Sequence, residues 1–199
     1  ATMVADLRAQ LQQQAIPAPV YLLAMSLGAM VATEWARTAP HELAGLVLIN
    51  TSLRPFSPFH QRLLPHNYAT LARLALGHMP EQAAEDAVFG LTCNHGSNQA
   101  ATVERWTQAR LLHPVSPGNA LRQLLAAARY RAPLQAPAVP TLLLGSARDR
   151  LVSHRCSQAI AQAWGVPLHT HPSAGHDLPQ DDGPWVAQRV REWAGPPAA

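Results

Sequence analysis

The stretch Val20–Trp35, VYLLAMSLGAMVATEW, starts as an apolar strand and continues as a helix, with one hydroxyl, Ser26, at the change of direction. Val20 to Ala24 is a short apolar run of the kind that forms a strand buried on both faces. From about Leu27 to Thr38 the pattern is helical. It closes ahead of Pro40, because the residue before a proline is disfavoured in the helical region. Upstream, residues 3–14 read as a helix with Met3, Val4, Leu7 and Leu11 on one face, broken by IPAP. Downstream, Leu43–Asn50 (LAGLVLIN) is a second buried strand. Strand, helix and strand joined by short connections predict a right-handed crossover and a parallel sheet.

The character then changes. From Thr51 to about Pro137 the chain is rich in Ala, Leu, Gln and Arg and punctuated by prolines, and it contains no convincing strand. Helices are predicted at roughly 59–76, 80–90, 98–112 and 118–130. The apolar run Pro140–Ser146 (PTLLLGS) returns the chain to the sheet. A helix follows, with Ser153 as N-cap and Gly165 as terminator. Val166–His171 is a last short strand, and Pro184 opens a final helix to about Trp193. The GPPAA tail is expected to fray. The fold class is therefore α/β: a mostly parallel sheet with flanking helices and a helical insertion. Residues 1–51 and 137–199 form the core, and residues 52–136 form a cap or lid.

Composition narrows the function. The 199 residues are 48% hydrophobic, enough for one domain with a substantial core. All 15 basic residues are arginine, spread from Arg8 to Arg191 without a basic stripe or interleaved aromatics. The net charge of +3 thus carries no nucleic-acid surface. No apolar run approaches the length of a membrane span. Cys93 and Cys156 lack metal-ligand spacing and read as thiols in a reducing, cytoplasmic compartment, although a disulfide between them stays open.

A serine between a buried parallel strand and a helix sits at the carboxyl edge of the sheet, where open α/β folds bind ligands. The helix N-terminus there offers unpaired N–H groups suited to an oxyanion. Ala24, Gly28 and Ala29 are small, as the close approach of strand and helix requires. A serine that merely caps the helix is the alternative.

The segment LLAMSLGAMVA resembles the Gly-x-Ser-x-Gly nucleophile elbow of the α/β-hydrolase superfamily, with Ala24 in place of the first glycine. That family orders its residues nucleophile, acid, histidine. The resemblance accordingly implies Ser26 as nucleophile, Asp149 in SARDRLVS as acid and His176 in PSAGHDLP as base. It also implies an oxyanion-hole N–H at Leu27. Imidazole activation of the hydroxyl and carboxylate control of the imidazole tautomer are the chemistry such a set performs. Asp177, Asp181 and Asp182 are rival acids that fit the start of the last helix. Asn50 stands where some relatives carry the acid, but an amide cannot serve as one. His169 and His171 alternate on the last strand with no third ligand in view, so no metal is expected, and no cofactor is implied.

The substrate implied is a small ester or related acyl compound. Met25, Phe89 and Trp106 are candidates for its pocket, although Phe89 and Trp106 equally suit the core of the cap itself. The family's fold begins with strands ahead of the helix placed at 3–14, together with a loop that supplies a second oxyanion donor. The serine strand is therefore expected to have an open apolar edge. A preceding segment of a longer hydrolase, or association with another copy, would cover it. The competing class is a non-catalytic fold member that binds a ligand. Relatives using the same residues on amide, lactone, thioester or carbon–carbon bonds are further alternatives.

Overall fold

The computed structural model describes residues 2–77 and 79–195; most of the GPPAA tail lies outside them. The chain runs α1 (Thr2–Gln13), β1 (Val20–Met25), α2 (Leu27–Thr38) and β2 (Leu43–Ile49). The insertion follows with α3 (Phe59–Arg62), α4 (Tyr68–Ala75), α5 (Glu81–Thr92), α6 (Gln99–Leu112) and α7 (Pro117–Arg129). It returns through β3 (Thr141–Ser146), α8 (Arg155–Trp164), β4 (Leu168–His171) and α9 (Leu178–Ala194). The four strands are parallel and lie in the order β1-β2-β3-β4.

Both faces of the central strands β2 and β3 are covered, which is why these two read as continuous apolar runs rather than alternating ones. Leu46, Leu48 and Leu143 face α2 and α8, packing with Trp35, Ile160 and Trp164. Val47, Ile49, Leu142 and Leu144 face α9 and pack with Leu178 and Val186. Parallel strands bring all of their carboxyl ends to one edge. Ser26, Asp149 and His176 each lie just beyond such an end.

β1 pairs with β2 on one side and, among the described residues, with no strand on the other. Tyr21 and Leu23 there are 57% and 53% exposed, so the expected open apolar edge is present.

Three local boundaries differ from the sequence expectation. The helix predicted over 59–76 is broken into α3, a 3₁₀ turn at Pro65–Asn67 and α4. Pro65 has no N–H to donate to the preceding turn and its ring blocks the chain's helical path, so it opens a new turn instead. His154 rather than Ser153 precedes α8; the Ser153 carbonyl accepts the Cys156 N–H at 2.9 Å. The predicted last helix is preceded by a turn from Leu178, separated from it by non-helical Asp182 (φ −152°), whose side chain accepts the Trp185 N–H at 3.0 Å. Asp182 thereby caps the segment that carries Pro184 in its first turn. Gly165 terminates α8 at φ 65°, a left-handed conformation that glycine adopts without steric cost.

The insertion leaves and re-enters the sheet through one neck. Arg54 and Arg131 form a parallel bridge, and the Ala132 N–H donates to the Arg54 carbonyl at 2.7 Å. Cys93 and Cys156 are both buried and free, so they are not paired. No helix among the described residues is long and apolar enough to cross a membrane.

Candidate active site

Ser26 occupies the bend with φ 53° and ψ −117°. A positive φ at a residue with a Cβ costs on the order of 1–3 kcal/mol and persists only where surrounding structure holds it. Here the holding groups are two backbone partners and one hydroxyl. The Ser26 N–H donates to Ile49 O at 3.0 Å, and its carbonyl accepts the Ala29 N–H at 3.2 Å and the Thr51 hydroxyl at 3.2 Å. The Ser26 side chain makes no capping bond to α2. Its hydroxyl is therefore not a helix cap, and the strained turn presents it at the sheet edge.

Ala24 fits where the motif has glycine because the approach of Gly28 leaves room for its methyl. Even a Cβ built on Gly28 would stand 3.9 Å from the Ala24 methyl. Leu27 is the first residue of α2. The opening N–H groups of a helix have no acceptor within it, and they carry the positive end of its dipole.

Asp149 and His176 meet. His176 Nδ1 lies 2.7 Å from Asp149 Oδ2, and the two side chains are 3% and 2% exposed. The other carboxylate oxygen accepts the N–H groups of Leu151 (2.8 Å) and Val152 (2.9 Å). Both oxygens are thus engaged and the carboxylate cannot swing away. An ionised carboxylate only accepts hydrogen bonds, so this contact places the proton on Nδ1 and leaves Nε2 as the free basic nitrogen. No hydrogen bond joins Ser26 Oγ to either residue among the described residues. Such bonds commonly tighten only when substrate is bound.

The rival acids are engaged elsewhere. Asp177 caps α9 through the Gln180 N–H. Asp181 accepts backbone N–H groups, described below, and Asp182 pairs with His171 at 3.2 Å. The bond from Trp185 N–H, more than the His171 contact, holds Asp182 below the ordinary carboxylate range. His169 and His171, two residues apart on β4, share one face of the strand; His169 is exposed and His171 is buried.

Burial pushes the Asp177 carboxyl above its ordinary value, against the opposing pull of the Gln180 N–H and His176. A raised carboxyl disfavours the native state once it is ionised. Asp177→Asn keeps the cap and removes the buried charge. The variant is expected to melt higher than wild type at pH 7. The difference should shrink as pH falls through the raised native pKa and vanish below the unfolded carboxyl value, about 3.9. Melting curves across that range check this.

Asn50 is a residue whose role the sequence did not reveal beyond excluding it as an acid. It sits at the end of β2 with φ 44° and is 3% exposed. Its Oδ1 accepts the Ser146 N–H at 2.8 Å. Its Nδ2 donates to Ser146 Oγ at 2.9 Å and to the His176 carbonyl at 2.7 Å. The amide thereby ties the end of β3 to the histidine loop. A buried polar residue closing a strand between two site-bearing loops is the signal that marks it.

Gly175 is a second such residue. A Cβ there would lie 2.5 Å from the Thr92 carbonyl oxygen, a backbone atom that cannot rotate aside. Gly175→Ala is expected to cost about 1–3 kcal/mol of stability by forcing the two backbones apart. Urea denaturation measures it.

The pocket candidates are placed as follows. Met25 lines a groove along β1 together with Leu27 and Gly28. A groove of about 490 Å³ between α1, α2 and α7 is also lined by Leu27. Phe89 is 4% exposed and packs with Trp106, ring centroids 5.9 Å apart, in a cluster with Cys93 and Val103. That cluster is the core of the α5–α6 pair.

Comparison with known proteins agrees with the architecture. The sequence profile of the serine aminopeptidase S33 family matches residues 1–183. No curated protein matches the chain in sequence. Among solved structures, a thermophilic esterase from Thermogutta terrifontis superposes with a TM-score of 0.71 at 23% identity, covering 96% of this chain and 70% of that one. A hydrolase from Pseudomonas aeruginosa PA01 gives 0.73 at 21%, with 97% and 71% covered. The 2-hydroxy-6-oxo-6-phenylhexa-2,4-dienoate hydrolase of Rhodococcus sp. strain RHA1 gives 0.71 at 15%, with 95% and 68% covered. At these identities the structural likeness carries the fold alone. The profile match over residues 1–183, joined to the parallel sheet and its flanking helices, shows that this chain belongs to the serine aminopeptidase S33 family of the α/β-hydrolase superfamily.

Proposed function

We propose that the protein is a serine hydrolase that cleaves carboxylic esters or related acyl compounds through Ser26, His176 and Asp149. The observation that carries this reading is the buried 2.7 Å contact between His176 Nδ1 and Asp149, at the sheet edge that also presents Ser26 on a strained bend. Ser26 Oγ attacks the carbonyl carbon and gives its proton to His176 Nε2. Asp149 holds the imidazole tautomer and stabilises the imidazolium that forms. The Leu27 N–H faces the developing oxyanion. A single donor of this kind accounts for on the order of 10²–10³ in turnover. His176 then protonates the leaving alkoxide as the intermediate collapses to an acyl-enzyme. Water, deprotonated by the same nitrogen, releases the acid and restores Ser26.

Residues 52–136 form a helical cap over a core of residues 1–51 and 137–199. The Arg54–Arg131 bridge at the neck supports that division. Its helices exclude water and shape the acyl or alcohol pocket to which Met25 contributes. The free, buried thiols are consistent with a cytoplasmic setting.

The family's designation as serine aminopeptidases favours peptide amides as a second reading. Turnover of p-nitrophenyl esters of graded acyl length, beside amino-acid p-nitroanilides, separates the two. Ester cleavage with a chain-length optimum supports the first, and anilide cleavage alone replaces it with the second. Failure of both, with binding of an ester analogue retained, would leave a ligand-binding member of the fold.

A further inference from the structure

The helical insertion grips the Asp149 and His176 loops through the end of α5 and the residues that follow it, Gly90–His95. Arg150, beside Asp149, donates through Nη2 to the Gly90 and Cys93 carbonyls at 2.9 and 2.8 Å. Asp177, beside His176, donates its N–H to Thr92 O at 2.8 Å. The Asp181 carboxylate accepts the N–H groups of Asn94 (2.9 Å), His95 (3.0 Å) and Gly175 (2.6 Å).

Asn94 completes this set from its side chain. Its Nδ2 donates to the carbonyls of Arg148 and Ser173, both at 3.0 Å. Arg148 immediately precedes Asp149, and Ser173 lies shortly before His176. One amide nitrogen therefore spans the acid loop and the histidine loop. A carboxamide suits this task because its NH₂ carries two donors at a fixed angle and no charge. Asn50 ties the end of β3 to the His176 carbonyl from the strand side, through Ser146. Asn94 ties the same two loops together from the helical layer.

We propose that Asn94 is a positioning residue for the Asp149–His176 pair. It acts by holding the Arg148 and Ser173 carbonyls to a common nitrogen, so that the insertion sets the geometry of the pair. This rests on the reading of Ser26, His176 and Asp149 as the catalytic set. Asn94 does not touch the reacting atoms. Its loss lets the two loops separate, loosens the His176–Asp149 bond and removes part of the carboxylate's support for the imidazolium. The imidazole then binds its proton less tightly and stands less accurately beside Ser26. Acylation slows while binding of the substrate does not change.

The test compares Asn94→Asp and Asn94→Ala with wild type, and uses Gln99→Ala as a control. Asn94→Asp is isosteric but turns both donors into an acceptor. Gln99 bonds Asp86 at 2.8 Å within the α5–α6 pair, apart from both loops. The first readout is the rate constant for labelling by a fluorophosphonate as a function of pH, below each variant's melting temperature. Both Asn94 variants are expected to label about 10–100-fold more slowly, the scale of a small misplacement of reacting groups. The acidic limb of the Asn94→Ala profile should move to lower pH, and Gln99→Ala should follow wild type. A variant that is merely less stable would lower the melting temperature and leave rate and limb in place. That result overturns the proposal.

A second readout does not depend on turnover: the exchange with solvent of the downfield His176 Nδ1 proton, observed by NMR. If wild type fails to label, the hydrolase reading is what fails, and this proton decides the positioning role alone. Faster exchange in Asn94→Asp supports it, and wild-type exchange overturns it. Should Asn94→Ala not fold, the labelling rate and the proton exchange of the isosteric variant decide the proposal.

Discussion

Replacing Ser26 with alanine is expected to lower kcat/KM on an activated ester by about 10⁶-fold, the scale seen when a serine nucleophile is removed from a complete set. The loss should be this large because neither thiol nor the Ser146 hydroxyl can take over. Burial pushes the Cys93 thiol up to about 11 and raises Cys156 as well, so neither is a thiolate at neutral pH. The Ser146 hydroxyl is fully buried and engaged by Asn50. Alanine keeps the strained φ of 53°, so the fold is retained and the loss is chemical. Initial rates on a p-nitrophenyl ester, with circular dichroism on the same samples, check this. A residual rate within tenfold of wild type would remove Ser26 from the reaction.

Asp149→Asn is expected to lower kcat by on the order of 10⁴-fold with little change in KM. The geometry gives the asparagine no good orientation. Asp149 Oδ1 accepts two N–H groups, from Leu151 and Val152, and Oδ2 accepts from His176. If the amide oxygen stays with the two backbone donors, its NH₂ faces His176 Nδ1 and forces that nitrogen to accept. The proton then sits on Nε2, and the base is lost. If the amide turns over, its NH₂ faces two N–H donors and the turn after β3 is left with unsatisfied groups, at about 1–3 kcal/mol each. Steady-state kinetics and a thermal melt distinguish the two outcomes. The first leaves stability near wild type, and the second lowers it.

Much of this arrangement was legible in the sequence because it depends on local rules. The run VYLLA, a single hydroxyl and the helix that follows define a bend at Ser26 without reference to the rest of the chain. Asp149 and His176 could be placed because the resemblance supplied their order and each follows a short strand, and parallel strands deliver their ends to one edge. Asn50 was not legible as a clamp, since its partners Ser146 and His176 lie 96 and 126 residues away. Asp181 was read as a residue of the helix start. Its bonds to Asn94, His95 and Gly175 depend on how α5 docks, which no periodicity encodes. The helix over 59–76 fails for a local reason: Pro65 breaks the Leu- and Ala-rich segment there.

The same contrast separates Phe89 and Trp106 from Met25. All three are large apolar residues near the motifs in sequence or in expected position. Packing puts Phe89 and Trp106 against each other, whereas Met25 follows the serine strand to its end and lines the groove beside Leu27. Strand position decides the second case. The docking of two helices decides the first.

The central claim is that Ser26 is a nucleophile activated by His176. Fluorophosphonate treatment followed by peptide mass mapping tests it most directly. The expected result is a single phosphonyl adduct on the peptide containing Ser26, formed by wild type and absent from Ser26→Ala. No adduct on wild type, or an adduct on a different residue that persists in Ser26→Ala, would contradict it.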